Sequence, residues 1–430
     1  MLKRFAPRVK TRGELEELQR RRLAWTLRHA YENCDFYRRH FTEAGVSPED
    51  FNKLKDLRCF PLTTAEDFRA GYPLPFKSVP ERDIVRIHAS SGTTGKRKVA
   101  AYTQKDIDDW LNMFCRCYEM AGLSCEDRVQ ICVGYGVWTA GAGFQLACER
   151  YGAMALPTGP GNLDLQCTFL VDFATTVLCC TASMALLLAE EVQRRGLRDR
   201  INLKKVICGS ERTSAAMRRR IVELLGLKEF YDIPGLTEVY GPGTGLNCHC
   251  SSKIHYWADY YYLEFLDPET LEPVPDGEVG EMVYTTLWKE AAPLVRYRSR
   301  DLARVVSEPC PCGSILPRHS AILGRSDDVF IIRGVNVYPG EVDAVLSGIE
   351  GVGSEYQIHL DHLEDGRDYL TLKVERSVQT GPERDEFLRG ELISRLKHRL
   401  MVTPRVELLA YGSLPRSERK TQRVFDRRYD

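Results

Sequence analysis

Nine consecutive residues, Ser90-Ser91-Gly92-Thr93-Thr94-Gly95-Lys96-Arg97-Lys98, combine hydroxyls, glycines and positive charge in a way that suits phosphate chemistry. Hydroxyl and backbone N–H groups on a glycine-freed loop can wrap phosphate oxygens, and the basic side chains add attraction. The stretch is not a Walker loop. That motif places four residues between its glycines and runs from Gly-Lys-Ser/Thr into a helix. Here two residues separate Gly92 from Gly95, and Val99-Ala100-Ala101-Tyr102-Thr103 reads as a strand. A solvated hairpin turn has the same composition. On the loop alone both readings stand.

A second group is built on sulfur. The chain has 15 cysteines, most of them in apolar runs such as Ile131-Cys132-Val133 and Val177-Leu178-Cys179-Cys180. There a free cysteine acts as a small hydrophobe, and the pattern predicts a reducing compartment rather than a disulfide framework. Only Cys248, Cys250, Cys310 and Cys312 lie in polar, turn-rich surroundings.

The elements that must position these groups alternate. Residues 12–57 read as helices, with Leu15, Leu18, Leu23, Leu27 and Tyr31 at helical spacing. Thr103 and Asp106 resemble a helix start, continued by Ile107 to Ala121. Strands at 128–134, 153–157, 175–181 and 203–209 are separated by helices, which predicts a largely parallel, helix-covered sheet. From Tyr256 to Val306 the pattern becomes hairpin-like β. The tail reads βαββαβ-like, with helices at 340–349 and 383–400, and fits a compact α+β domain.

A chain of 430 residues fits two or three domains, and 43% hydrophobic with 28% charged residues is ordinary for a soluble protein. Sixty basic and sixty acidic residues cancel, which argues against a general nucleic-acid or membrane-surface binder. Met1-Leu2-Lys3-Arg4-Phe5-Ala6-Pro7 has no apolar leader core, and no run of eighteen apolar residues occurs. A cytoplasmic location is expected.

Five motifs, in order, resemble those of the acyl-adenylate-forming superfamily and, within it, the phenylacetate–CoA ligase-like family. They are the Ser90–Lys98 loop, Tyr231-Asp232-Ile233-Pro234-Gly235-Leu236-Thr237-Glu238, and Arg296-Tyr297-Arg298-Ser299-Arg300-Asp301-Leu302. Next comes Gly324-Arg325-Ser326-Asp327-Asp328 with Arg333-Gly334-Val335-Asn336-Val337-Tyr338-Pro339, and Leu414-Pro415-Arg416-Ser417-Glu418-Arg419-Lys420 closes the series. The resemblance implies an α/β fold in two parts. Residues 1–326 would form a large multi-layer adenylation domain of parallel sheets and helices plus a β-rich subdomain. Residues 327–430 would form a small, mobile α+β domain carrying the catalytic lysine.

The implied activity is AMP-forming ligation of an aromatic or arylacetic acid to CoA. A carboxylate attacks the α-phosphate of ATP to give acyl-AMP and pyrophosphate, and a thiol then displaces AMP. The resemblance gives the loop Ser90, Ser91, Gly92, Thr93, Thr94, Gly95 and Lys96 to the departing pyrophosphate. It gives Glu238 to Mg²⁺, as oxygen coordination requires, and Thr237 to the α-phosphate. Asp301 would accept from both ribose hydroxyls, its alternative use being an ion pair with Arg298 or Arg300. Arg325 would support the ribose or a phosphate. Lys420 would bridge substrate carboxylate and ATP, and Asp327 would be the hinge. Asp232, Pro234 and Gly235, with Gly209 and Ser210, would floor the adenine and carboxylate sites.

Tyr135, Gly136 and Trp138 match the family's segment lining the aryl-acid pocket, with flat apolar walls for a ring and small Gly141 and Ala142 leaving room. Some relatives carry a structural zinc, which implies ligation by Cys248, His255, Cys310 and Cys312, with Cys250 competing for the place of Cys248. Two positions depart from the family's pattern. Pro234 stands where many relatives place an aromatic residue, and Arg419 where they place glycine. A carrier-protein thiol as acceptor, release of a stable adenylate, a degenerate nucleotide-binding module and a zinc-stabilised scaffold are the alternative readings, and a homodimer is compatible with all of them.

Overall fold

The computed structural model describes residues 4–90, 96–211, 213–328, 330–332, 335–362, 368–400, 402–415 and 423–428. Its centre is a five-stranded sheet whose order is Met154–Leu156, Arg128–Cys132, Val177–Thr181, Lys205–Gly209, Glu229–Ile233, every pair parallel. These strands are buried runs of valine, isoleucine and cysteine, as a sheet covered on both faces requires. Helices Gln104–Met120, Thr139–Tyr151, Leu163–Asp172, Ala182–Arg194 and Ala215–Leu225 fill the connections. Gln104–Met120 opens as expected. Thr103 Oγ1 accepts from the Asp106 N–H and the Asp106 carboxylate accepts from the Thr103 N–H, both at 3.1 Å.

Two cores flank this sheet. One gathers Trp110, Phe114, Tyr118, Val129, Ile131 and Cys179 with the N-terminal helices Arg12–Asn33 and Asp35–Glu43. The other packs Leu178, Cys180, Val206 and Cys208 under Leu186, Leu188 and Ile221. Most of the cysteines are therefore core residues, as their apolar settings predict, and burial raises the thiols of Cys132 and Cys148 to about 12.

The β-rich part is a seven-stranded antiparallel sheet, ordered Gly245–Asn247, Ile254–Tyr256, Arg318–His319, Tyr297–Val306, Val279–Thr286, Tyr261–Leu266, with Gly324–Arg325 paired to Tyr297–Val306. The last part has a four-stranded sheet ordered Arg405–Leu409, Asp368–Arg376, Val352–His362, Val424–Asp426, covered by helices Pro339–Leu346 and Asp385–Leu400. Leu388, Leu392, Leu396 and Leu400, spaced at one helical face, close its own core. It touches the large part where the Tyr411 hydroxyl donates to Glu190 and where Arg219 donates to the Ser347 carbonyl at 3.1 Å.

No described helix is long and apolar enough to cross a membrane.

Candidate functional site

The charged residues of the nucleotide-type motifs converge on Tyr297. This ring opens the strand Tyr297–Val306, is buried, and donates its hydroxyl proton to Glu238 Oε1 at 3.2 Å. The same carboxylate oxygen is paired with the Lys98 ammonium. Burial, and then the Glu238 charge, push the Tyr297 phenol well above its usual range, and Arg325 and Asp301 lie within its electrostatic reach. Four separate stretches of chain thus meet here: the end of the phosphate-type loop, the Thr237-Glu238 turn, the start of a long strand, and the short strand Gly324–Arg325.

The turn is fixed from below. The Tyr102 hydroxyl reaches the carbonyls of Tyr240 at 2.9 Å and Thr237 at 3.3 Å. Gly235 is obligatory, because a Cβ there would lie 2.2 Å from Pro242 Cα. Gly209 is equally constrained: its Cβ would meet the Ile233 carbonyl oxygen at 2.4 Å, and Ser210 follows it with φ +72°. The Pro234 carbonyl accepts from the N–H groups of Gly243 and Thr244 at 3.0 and 3.2 Å. Asp232 lies 3.5 Å from an Arg218 guanidinium nitrogen, and burial raises its carboxyl above the usual range.

Asp301 does not use its sequence neighbours. Arg298 grips Glu281 through two bonds of 2.8 and 2.9 Å, and Arg300 approaches the same carboxylate at 3.6 Å. Asp301 faces Arg325 instead, at 3.4 Å across an antiparallel register that sets the two residues opposite each other. The strand does not alternate simply here: its pairing with Val279–Thr286 shifts register between Glu281 and Val283 and Arg300 takes φ +69°, so Arg298 and Arg300 both reach Glu281 while Asp301 stands opposite Arg325. Arg325 also holds Asp327 through two bonds of 2.8 Å, and Ser326 donates to Glu281 at 2.8 Å. The expected hinge residue is therefore tied to the expected ribose residue by one guanidinium.

In the expected acyl wall, Tyr135 and Gly136 are exposed and Trp138 is partly buried. The room expected at Gly141 is taken: a Cβ there would lie 2.7 Å from the Tyr135 ring. A Cβ on Gly134 would likewise press the Trp138 ring at 3.1 Å. Both rings lean on glycines. Lys96 sets its ammonium 5.4 Å above the Tyr72 ring. Ser90 closes the loop's base by donating its N–H to the Lys98 carbonyl at 2.9 Å. Ser91, Gly92, Thr93, Thr94, Gly95 and Lys420 lie outside the described residues.

The sulfur group is brought together. One ligand atom from each of Cys248, His255, Cys310 and Cys312 lies within 4.8 Å of the others. Cys248 and Cys310 sulfurs are 3.5 Å apart, and Cys312 Sγ is 3.5 Å from His255 Nε2. Sulfurs bound tetrahedrally at the usual zinc distance would be roughly 3.7 Å apart. His255 Nδ1 faces the Leu316 carbonyl at 3.3 Å, which fixes the ring and leaves Nε2 for a metal. Burial lowers His255 to about 4, so the imidazole is neutral as a ligand must be. Burial opposes the Cys310 thiolate, yet bonds from the Cys312 backbone and the neighbouring thiols draw that thiol below its usual range. Cys250 is exposed and outside the cluster, so the choice between Cys248 and Cys250 falls to Cys248.

Comparison with known proteins agrees with this geometry. Residues 42–287 match the AMP-binding enzyme family, and residues 334–428 match the AMP-binding enzyme C-terminal domain. The phenylacetate-coenzyme A ligase of Escherichia coli is 41% identical over 96% of this chain and 95% of its own length. The enzyme of the same name from Thermus thermophilus is 38% identical over 99% of both. The chain belongs to the AMP-binding enzyme family, in its phenylacetate-coenzyme A ligase branch. Among solved structures, 2-hydroxyisobutyryl-CoA ligase in its postadenylation state with an acyl-AMP superposes with a TM-score of 0.89 at 29% identity, covering 97% of this chain and 90% of that one. The same enzyme in the thioesterification state, with acyl-AMP and CoA, gives 0.71 at 30% identity over 97% and 91%. This AMP-binding enzyme is thus arranged more like the former state than the latter.

With the family established, the chemistry is that of an AMP-forming carboxylate–CoA ligase that uses ATP and CoA. Sequence reading missed several residues of its site. Tyr297 lies inside the Arg296–Leu302 motif with no signal of its own, and Lys98 reads in the sequence only as one of three positive charges. Tyr102 and Glu281 carried no signal, because their roles depend on partners distant in sequence.

Proposed function

We propose that this ligase activates an aromatic or arylacetic acid, forming the aryl acyl-AMP and then its CoA thioester. The observation that carries the reading is the convergence of Lys98, Glu238, Asp301 and Arg325 around one buried tyrosine, with the segment of Tyr135 and Trp138 joined to the strand before the loop where the Ala89 N–H donates to the Val137 carbonyl at 2.8 Å. In the first half-reaction a carboxylate oxygen bonds to the α-phosphorus, the bond to the bridging β-oxygen breaks, and pyrophosphate leaves with that electron pair. In the second, the CoA sulfur, having lost its proton, adds to the acyl carbon and AMP departs.

Each residue's part follows from its chemistry. Asp301 accepts from the ribose hydroxyls, and Arg325 braces Asp301 against Asp327. Thr237, on the turn held by Tyr102, stands by the α-phosphate. Glu238, a buried oxygen donor, fits a hard divalent cation, and Mg²⁺ bound there would neutralise charge on the departing phosphates. Lys420 enters from the small domain, residues 327–430, and supports the carboxylate and the pentavalent phosphorus. Asp327, at the boundary with residues 1–326, is the hinge. The Cys248, His255, Cys310 and Cys312 set fits zinc by donor type, spacing and the braced histidine, and would tie two loops together without entering the reaction.

Carboxylate-dependent exchange of pyrophosphate into ATP, measured without CoA, tests the substrate class. Arylacetic and aromatic acids should support exchange at least tenfold faster than 2-hydroxyisobutyrate or short aliphatic acids. Equal or greater rates with the short acids would remove the aryl assignment while leaving adenylation itself intact. Thioester formation on adding CoA, and none on adding a carrier-protein thiol, would fix the acceptor.

A further inference from the structure

The carboxylate assigned to a divalent cation already has a cation. Lys98 places its ammonium on Glu238 Oε1, the oxygen that also accepts from Tyr297. The pair is largely closed to water: 5% of the Glu238 side chain and 19% of the Lys98 side chain are exposed. A carboxylate so buried needs a counter-charge, and in this structure the lysine is it. Lys98 is also the residue at which the phosphate-type loop ends, since its carbonyl receives the Ser90 N–H. Of the described basic residues at this end of the loop, Lys96 is committed elsewhere, over Tyr72.

An ammonium on one oxygen of a carboxylate repels a divalent cation a few ångströms away on the same group, so each weakens the other's hold on Glu238. We propose that Lys98 serves as the counter-ion of Glu238 whenever no divalent cation is there, and is exchanged for the cation that a nucleoside triphosphate brings. The inference rests on the reading of Glu238 as a cation ligand. The exchange conserves charge: the cation takes the carboxylate, and the released ammonium turns to the phosphate oxygens that arrive with it. Two consequences follow. Free divalent cation binds poorly, because it must displace a tethered competitor without offering that competitor a new partner. Cation with triphosphate binds well, because the displaced lysine gains one. Lys98 thereby makes metal binding conditional on nucleotide and carries the loop's end toward the phosphates.

The test is a Mn²⁺ titration of the whole protein, followed by the paramagnetic resonance of the free ion, with and without ATP. Mn²⁺ avoids the thiolate cluster, which favours softer metals. Without nucleotide, Lys98→Met should bind Mn²⁺ at least tenfold more tightly than wild type, and the added change Glu238→Gln should abolish that gain. With ATP present, Lys98→Met should bind the triphosphate about tenfold more weakly. Unchanged Mn²⁺ affinity in Lys98→Met, while Glu238→Gln alone weakens nucleotide-linked Mn²⁺ binding, would overturn the exchange and leave Glu238 as ligand. Nucleotide-linked Mn²⁺ binding unaffected by Glu238→Gln would remove the underlying assignment instead. Lys98→Gln, checked by thermal melting, repeats the measurement if the methionine variant does not fold, and the same two outcomes decide it.

Discussion

Two regions of this enzyme gather side chains of the kinds that bind cations, and they are arranged in opposite ways. Around Cys248, His255, Cys310 and Cys312 the ligand atoms face one another, with the histidine neutral and braced by the Leu316 carbonyl. Arg318, whose charge reaches Cys310 and His255, donates instead to the Glu308 carbonyl. At Glu238 the carboxylate is covered by Lys98 and Tyr297. The first arrangement suits an ion that stays, since nothing must move for it to bind. The second suits a charge that comes and goes with a substrate, because the protein supplies a substitute for the interval.

The comparison breaks first at the resident site. Cys310→Ser should strip the metal and cost on the order of 5 kcal/mol, because it removes one of four bonds closing two loops. Metal analysis with thermal melting checks this, and full metal content with an unchanged melting temperature would show that the cluster is only a set of reduced cysteines. Both half-reactions should fall together, in proportion to folded protein. Lys420→Ala should do the reverse. It should slow adenylate formation by roughly 10² to 10³-fold, as loss of one preorganised charge does, yet spare thiolysis of supplied acyl-AMP and the melting temperature. Equal loss in both half-reactions would deny Lys420 its place in the first.

What the sequence revealed divides along the same line. The alternating strands and helices were legible because parallel strands are continuous apolar runs, as at Val177–Thr181. The cysteine cluster was legible in outline from polar settings, but only burial separated Cys248 from Cys250. Arg298 and Arg300 offer Asp301 a plausible local partner, and a register shift with Arg300 at positive φ sends both to Glu281 instead. The pairing of Lys98 with Glu238 was not legible at all. It depends on how a hairpin lies against a turn that follows the parallel sheet, and no local pattern encodes that. The short strands Gly245–Asn247, Ile254–Tyr256 and Arg318–His319, which bring the metal-type ligands together, are likewise too brief to carry a period.

A smaller effect sharpens the account of the visiting charge. Arg325 joins Asp301 to Asp327, so it should sense ribose and hinge together. Arg325→Ala should raise the KM for ATP in exchange by roughly tenfold, the worth of one charge-assisted bond. Arg325→Lys should recover little of it, because a single ammonium cannot make the two bonds to Asp327 while facing Asp301. Full recovery by lysine would reduce Arg325 to a plain positive charge.

The smallest expected effect concerns the other lysine near the Glu238 turn. Lys289 is fully buried, donates to the Ala292 carbonyl at 3.1 Å, and sits 4.9 Å from the Tyr102 ring and 5.4 Å from the Tyr240 ring. Burial, only partly offset by Asp106, lowers it to about 8. Its charge has nowhere to go, which distinguishes it from Lys98. The folded protein releases this proton near pH 8, whereas an unfolded chain keeps it until about 10.4. Between those values the unfolded state binds more protons, so stability from this group rises with pH and is lost as pH falls through the window. Going from pH 9 to pH 8 should therefore cost wild type about 1 kcal/mol that Lys289→Met does not lose. Urea unfolding of both proteins at the two pH values measures that difference. Lys289→Met should leave the Mn²⁺ affinity of the nucleotide-free enzyme unchanged, because a fixed charge under Tyr102 does not compete for Glu238. A gain in Mn²⁺ affinity like that of Lys98→Met would mean that the site responds to total local charge, and that Lys98 holds no special position.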